Sequence, residues 1–230
     1  MKLLTTGNPK TEKGAALGYL TAILHLAPAS ASGKNLCPWA SPMCIDACLN
    51  KAGRGGIFAS GETTNAIQQA RLARSAFFLA DRPGFLRQLA KEIRAFLRQC
   101  QRAGLRPAVR LNGTSDLPWE RIAPELFAEF PEVTFYDYTK APHRMGEALP
   151  ANYSLTFSRS ETNESHAMAV LANGGNVAVV FGGGLPTTWK GFDVIDGDAT
   201  DLRFLDRRNV VVGLTAKGPA KRENGGFVVR

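Results

Sequence analysis

No stretch of this sequence is apolar for long enough to cross a membrane. The longest run, Leu17 to Pro28, is broken by Thr21 and His25 and falls short of the roughly 20 residues a spanning helix requires. A signal-peptide core is also missing, because MKLLTTGNPK turns polar after four residues. Cysteine is scarce, with 4 in 230 residues, which excludes the cysteine-dense framework of a small secreted domain. Acidic residues are outnumbered, 20 against 28 basic ones, leaving a net charge of +8. Internal repeats, low-complexity tracts and any composition break that would mark a domain boundary are lacking. What remains is 44% hydrophobic and 21% charged, the usage of a folded soluble protein. The expectation is one α/β domain over residues 1–230, with reduced thiols, in the cytoplasm and away from membranes.

The pattern along the chain is strand followed by crossover. Leu17–His25 reads as a buried first strand, closed by Ala27-Pro28. Six more apolar runs read as strands: Ala108–Leu111, Val133–Tyr138, Tyr153–Phe157, Val177–Phe181, Phe192–Ile195 and Val210–Leu214. Near-continuous runs such as VAVVF are typical of parallel strands buried on both faces. Helices are expected over Glu62–Phe78 and Phe85–Ala103; the second carries Leu86, Leu89, Ile93, Phe96, Leu97 and Cys100 on one face and stops at Gly104. Seven strands with crossovers imply a mostly parallel sheet or a partial (β/α) barrel.

Ligands of parallel α/β folds bind where the loops after the strands converge. Here the first strand is followed by a long cysteine-rich loop, about residues 29–61. The others are followed by Asn112-Gly113-Thr114-Ser115-Asp116, Asp137 to Lys140, Ser158-Arg159-Ser160-Glu161, Gly182-Gly183-Gly184, Asp196 to Asp198, and Thr215 to Lys217. Any one of these is an ordinary polar turn. Seven in succession suggest one shared site.

The loop holds Cys37, Cys44 and Cys48 in a C-x6-C-x3-C pattern. Thiolates are soft ligands suited to iron–sulfur clusters or zinc. A closed zinc site needs a fourth ligand, here only a distant Cys100, His25, His143 or His166, whereas a [4Fe–4S] cluster held by three cysteines leaves one iron open. Cys100 lies on an apolar helix face and reads as core. Arg71, Arg74, Arg87, Arg94, Arg98, Arg102 and Arg106 raise a second possibility, a metal-stabilised nucleic-acid-binding or regulatory module without catalysis. A solvated helix face, with Arg94 paired to Glu92 or Asp81, accounts for several of them.

Two resemblances rest on these residues. A three-cysteine loop directly after the first strand of a β/α partial barrel resembles the radical S-adenosylmethionine (radical SAM) architecture. The strings CPWASPMCIDAC, RLNGTSDLPWE, FYDYTK and VIDGD resemble phage-encoded proteins of the mycobacteriophage gene product eighty-eight family, from about Gly18 to Lys217. The first resemblance implies that Cys37, Cys44 and Cys48 ligate a [4Fe–4S] cluster and that Asn112–Asp116 meets the SAM amino group. It further implies that Ser158, Ser160 and Glu161 meet the carboxylate or ribose and that Gly182 and Gly183 face the adenosine. Asp137, Lys140 and Arg159 would grip cofactor or substrate. The activity implied is formation of a 5′-deoxyadenosyl radical, with electrons from a flavodoxin or ferredoxin, in the host cytoplasm. The spacing differs from the usual C-x3-C-x2-C, Ala47 stands where an aromatic residue is usual, and Asn112–Asp116 replaces a Gly-Gly-Glu.

Overall fold

The computed structural model describes residues 1–6 and 13–230. All seven strands expected from the sequence form, and they form one parallel array: β2 (Tyr19–Leu24), β3 (Arg106–Arg110), β4 (Thr134–Thr139), β5 (Tyr153–Ser158), β6 (Val177–Phe181), β8 (Phe192–Asp196) and β9 (Val211–Thr215). Two-residue strands complete a ten-stranded, mostly parallel sheet: β1 (Leu4–Thr5) at one edge, β7 (Thr188–Trp189) in a hairpin with β8, and β10 (Val228–Val229). The order is β1-β2-β3-β4-β5-β6-β9-β8-β7, so the last two parallel strands exchange places relative to the sequence.

Helices α2 (Ala66–Ala80) and α3 (Arg82–Ala103) make the crossover from β2 to β3. The first starts at Ala66 and not at Glu62 because Asn65 caps it, its Oδ1 accepting the Gln68 N–H at 3.0 Å. The second begins earlier than its apolar stripe, at an Asp81 cap, and ends where Gly104 takes the left-handed conformation at φ 65°. Its face of Phe85, Leu89, Ile93, Phe96 and Cys100 packs on Leu24, Val109 and Phe135 of the sheet. Cys100 is thus core, at the helix end that feeds the start of β3 and away from the cysteine loop. Short helices α4 (Trp119–Ile122) and α5 (Pro124–Glu129) cross from β3 to β4, and α6 (Glu164–Ala172) crosses from β5 to β6. Arg94 pairs with Glu129 of α5, not with Glu92 or Asp81; Glu92 instead accepts the Leu3 and Leu4 N–H groups and secures β1.

The opposite face of β2–β4 meets a turn at Leu202–Leu205. Phe204 sets its ring edge-on to Tyr19 and Tyr136, at 5.0 and 5.4 Å between centroids. Further along this face Asp201 pairs with Arg110 and accepts from the Tyr136 and Tyr138 hydroxyls. Strands β5 and β6 pair only through Phe157–Ser158 and Val177–Ala178, then separate, and β10 enters the gap beside Val180 and Phe181. Gly182 lets it in: a Cβ there would lie 2.9 Å from the Arg230 side chain and 3.1 Å from Val228.

Ile93 is fully buried between α3 and the sheet. Ile93→Ala is expected to lower stability by about 2–5 kcal/mol, seen as a lower urea midpoint at unchanged slope.

Candidate metal and ligand cavity

The carboxyl ends of the parallel strands surround a cavity of about 220 Å³. All three loop cysteines line it, together with Asn112–Asp116, Lys140 and Ser158 from the polar strand ends. Each cysteine is held differently.

Cys37 is held by the turn after β3. Its Sγ accepts the Ala29 N–H at 3.3 Å and lies 3.7 Å from the Thr114 carbonyl, while the Asp116 N–H donates to the Leu36 carbonyl at 2.9 Å. That turn is rigid because Asn112 saturates it. The Asn112 Oδ1 accepts from Ser115 Oγ, Leu117 N–H and Trp119 Nε1, and its Nδ2 donates to the Leu117 carbonyl. Gly113 is required, since a Cβ would stand 2.7 Å from both Leu24 O and the His25 ring.

Cys44 sits on α1 (Pro42–Asp46), capped by Ser41, whose Oγ accepts the Cys44 N–H at 3.2 Å. Glu161 grips the start of this helix, accepting from Ser41 Oγ at 2.7 Å and Met43 N–H at 3.1 Å. Cys48 caps the next turn, its Sγ accepting the Asn50 N–H at 3.4 Å. That turn is clamped by one face of α2. Asn65 donates to the Arg54, Gly55 and Ile57 carbonyls, Gln68 to the Asn50 and Gly55 carbonyls, and Arg71 to the Asn50 side chain.

Several sequence candidates lie outside the cavity. Asp137 falls within β4, on the side of the strand opposite Tyr138, so it is fully buried behind the sheet and does not reach a ligand. There it accepts the Asn112 N–H at 2.7 Å and the Tyr153 hydroxyl at 3.0 Å. Arg159 binds the Gly226 and Phe227 carbonyls and Glu164, fixing β10. Ser160 closes a turn with Asn163, and Gly182 is covered by β10; neither Ser160, Glu161, Gly182 nor Gly183 lines the cavity. Side chains that the strand-end reading did not single out as ligands, Arg110, Tyr138, Asp201, Leu214 and Phe227, do line it. The alternation of β3 and β4 carries the signal for Arg110 and Tyr138.

The charges of the cavity are mostly paired. Asp116 accepts the Lys140 backbone N–H and pairs with Arg144, which is buried and also bidentate to Glu120. Arg110 pairs with Asp201 and Lys217 with Asp198. Lys140 differs: its Nζ donates to Ser158 Oγ at 2.6 Å and stands 5.4 Å from the Phe227 ring, with no carboxylate partner among the described residues. Burial pushes the Cys37 thiol up to about 12 and raises that of Cys48, in each case against a main-chain N–H that favours the thiolate. Among the described residues no group of three or more His, Cys, Asp or Glu side chains is arranged to hold a metal ion. The donors present are nevertheless three thiols and no histidine on one wall. Thiols are soft donors of the kind that iron–sulfur clusters and zinc both take, so the donor chemistry of this wall suits either.

His25, at the end of β2, is held neutral down to about pH 3, first by burial and then by Arg71, Arg110 and Arg74. Its folded pKa lies below the ordinary 6.5. The unfolded chain therefore takes up the proton first, and stability is lost as pH falls below about 6.5, at up to about 1.4 kcal/mol per pH unit. Asp137 acts oppositely: burial raises it to about 7, so its share of stability falls as pH rises from about 4 to 7. The difference in urea stability between wild type and His25→Gln across pH 4–7 isolates the first effect and is expected to narrow on acidification. Glu161→Ala is expected to speed hydrogen exchange at the Met43 amide, with little change in the α3 amides.

No helix among the described residues is long and apolar enough to cross a membrane. No curated protein and no solved structure matches the chain. The family model of gene product 88 matches residues 2–230, in keeping with the strings CPWASPMCIDAC and RLNGTSDLPWE that shape the cavity wall, and the chain belongs to the gene product 88 family.

Proposed function

We propose that this protein is an iron–sulfur enzyme of radical SAM-like type, with Cys37, Cys44 and Cys48 holding a [4Fe–4S] cluster. The observation that carries the proposal is the opening of all three thiols onto one cavity, at the carboxyl ends of parallel strands, from the loop after the first of them. The sequential neighbours β2-β3-β4-β5-β6 favour a partial barrel, since every crossover advances to the adjacent strand. Main-chain N–H groups directed at the Cys37 and Cys48 sulfurs suit thiolates that carry charge to a metal.

When bound, the cluster supplies the electron that cleaves SAM to methionine and a 5′-deoxyadenosyl radical. The chain's own residues bind and enclose. The Lys140 ammonium, lacking an acid partner among the described residues and backed by Ser158, offers a charged donor for the carboxylate of the methionine moiety. Gly113 and Thr114 line the adjoining wall, which the close approach of Gly113 to the end of β2 fixes in place. Val180, Leu214, Ala220 and Phe227 give an apolar wall that excludes water around the reacting atoms. Arg110, held over the Tyr138 ring at 4.7 Å and tied to Asp201, is placed to orient a substrate.

Reduced, anaerobically reconstituted protein is expected to convert SAM to 5′-deoxyadenosine, measured by chromatography. Cys44→Ala abolishes the product, and Lys140→Ala weakens SAM binding by roughly tenfold or more, the scale of one lost charged hydrogen bond. SAM that is neither bound nor cleaved by a fully loaded protein contradicts the enzymatic part of the proposal.

A further inference from the structure

Among the described residues Arg71 is a cation without an anion. It projects from α2 toward the turn that follows Cys48, where its Nη1 donates to Asn50 Oδ1, and it has no carboxylate partner among the described residues. Its Nε is buried with no hydrogen bond. Asn50 links it to Cys48: the Asn50 main-chain N–H donates to the Cys48 Sγ at 3.4 Å while its Oδ1 accepts from Arg71. Arg74, one turn further along α2, adds like charge, and His25 beside them is held neutral. Gly55 is part of the same arrangement, since a Cβ there would lie 2.9 Å from the Asn50 carbonyl and 3.5 Å from Arg71 Nη1. The neighbouring clamp residues Asn65 and Gln68 are amides that already hold the loop by hydrogen bonds. A charged group in the third position is therefore surplus to clamping. Burying it half out of water without a counterion costs free energy unless an anion arrives.

We infer that Arg71 is the counter-charge of the metal–thiolate centre, compensating the anionic group held by Cys48 and setting its reduction potential. The inference rests on the cluster reading above. A fixed positive charge beside a centre that becomes more negative on reduction stabilises the reduced form, so it raises the potential. Arg71 touches neither substrate nor reacting atoms in this account; it acts through the centre's charge.

The test is a redox titration of reconstituted wild type, Arg71→Gln, Arg71→Lys and Asn50→Ala, followed by EPR and visible absorbance, with iron and sulfide measured on each. Arg71→Gln is expected to load its cluster with a reduction equilibrium constant about tenfold less favourable, a shift of 59 mV to lower potential for one electron. Arg71→Lys, which keeps the charge, and Asn50→Ala, which removes only the hydrogen bond, are expected to stay within about a third of that shift. Loaded Arg71→Gln with the wild-type potential overturns the inference and leaves the cluster reading standing. Should Arg71→Gln fail to load, loading of Arg71→Lys at the wild-type potential supports the charge role, and failure of both folded variants to load overturns it. Wild type that assembles no cluster overturns both the inference and the reading beneath it.

Discussion

The side chain of Asn112 has no hydrogen-bonding capacity left for a ligand: its oxygen takes three protein donors and its amide is given to Leu117 O and Asp137. Everything on that side of the cavity hangs from the turn it fixes. Gly113 and Thr114 press against the end of β2, the Thr114 carbonyl meets Cys37, and Asp116 holds both the Leu36 segment and the Lys140 main chain. Behind it, Asp137, Tyr153, Arg144 and Glu120 form a buried polar chain. A fully satisfied network of this kind admits few alternative arrangements, because any shift leaves a buried donor or acceptor unpaired. The motif that looks like a ligand-binding loop is mainly a scaffold for the cavity wall beside it.

Part of the basic balance of the chain serves local structure. Arg82 and Arg106 lie over the rings of Phe78 and Tyr19, Arg94, Arg121 and Arg207 pair with Glu129, Glu147 and Asp193, and Arg144 and Arg159 are internal ties. Such uses are distributed around the molecule. Lys140 lines the cavity beside the cysteines and Arg71 meets Asn50, two residues after Cys48, and neither has an acid partner among the described residues.

The seven parallel strands were legible as short runs rich in apolar residues, VAVVF of β6 the clearest, and α3 was legible from its single apolar stripe. Helix α6, ESHAMAVLA, has apolar residues nearly all round and so gives no period to read. The exchange of β8 and β9 depends on tertiary pairing, and the entry of β10 depends on Gly182 lacking a Cβ. At the site, the convergence of strand ends was readable, and it brought the cysteines, Asn112–Asp116, Lys140 and Ser158 together. Asp137 was misread because it still lies inside β4, two residues before its end, where the two-residue alternation turns it behind the sheet while Tyr138 faces the cavity. Glu161 proved to hold the Cys44 helix. Arg71 escaped notice because it stands on a helix after the loop, three residues beyond Gln68 and six beyond Asn65, a spacing that has meaning only once the loop lies across that face.

The central claim is that three thiols with different anchors, the Asn112 turn, Glu161 and the α2 clamp, converge to hold one iron–sulfur centre. Its most direct test is the metal and acid-labile sulfide content of anaerobically purified protein. The account predicts about four iron and four sulfide per chain, with absorbance near roughly 400 nm that disappears in Cys37→Ala, Cys44→Ala and Cys48→Ala. A colourless protein carrying one zinc per chain and no sulfide would contradict it.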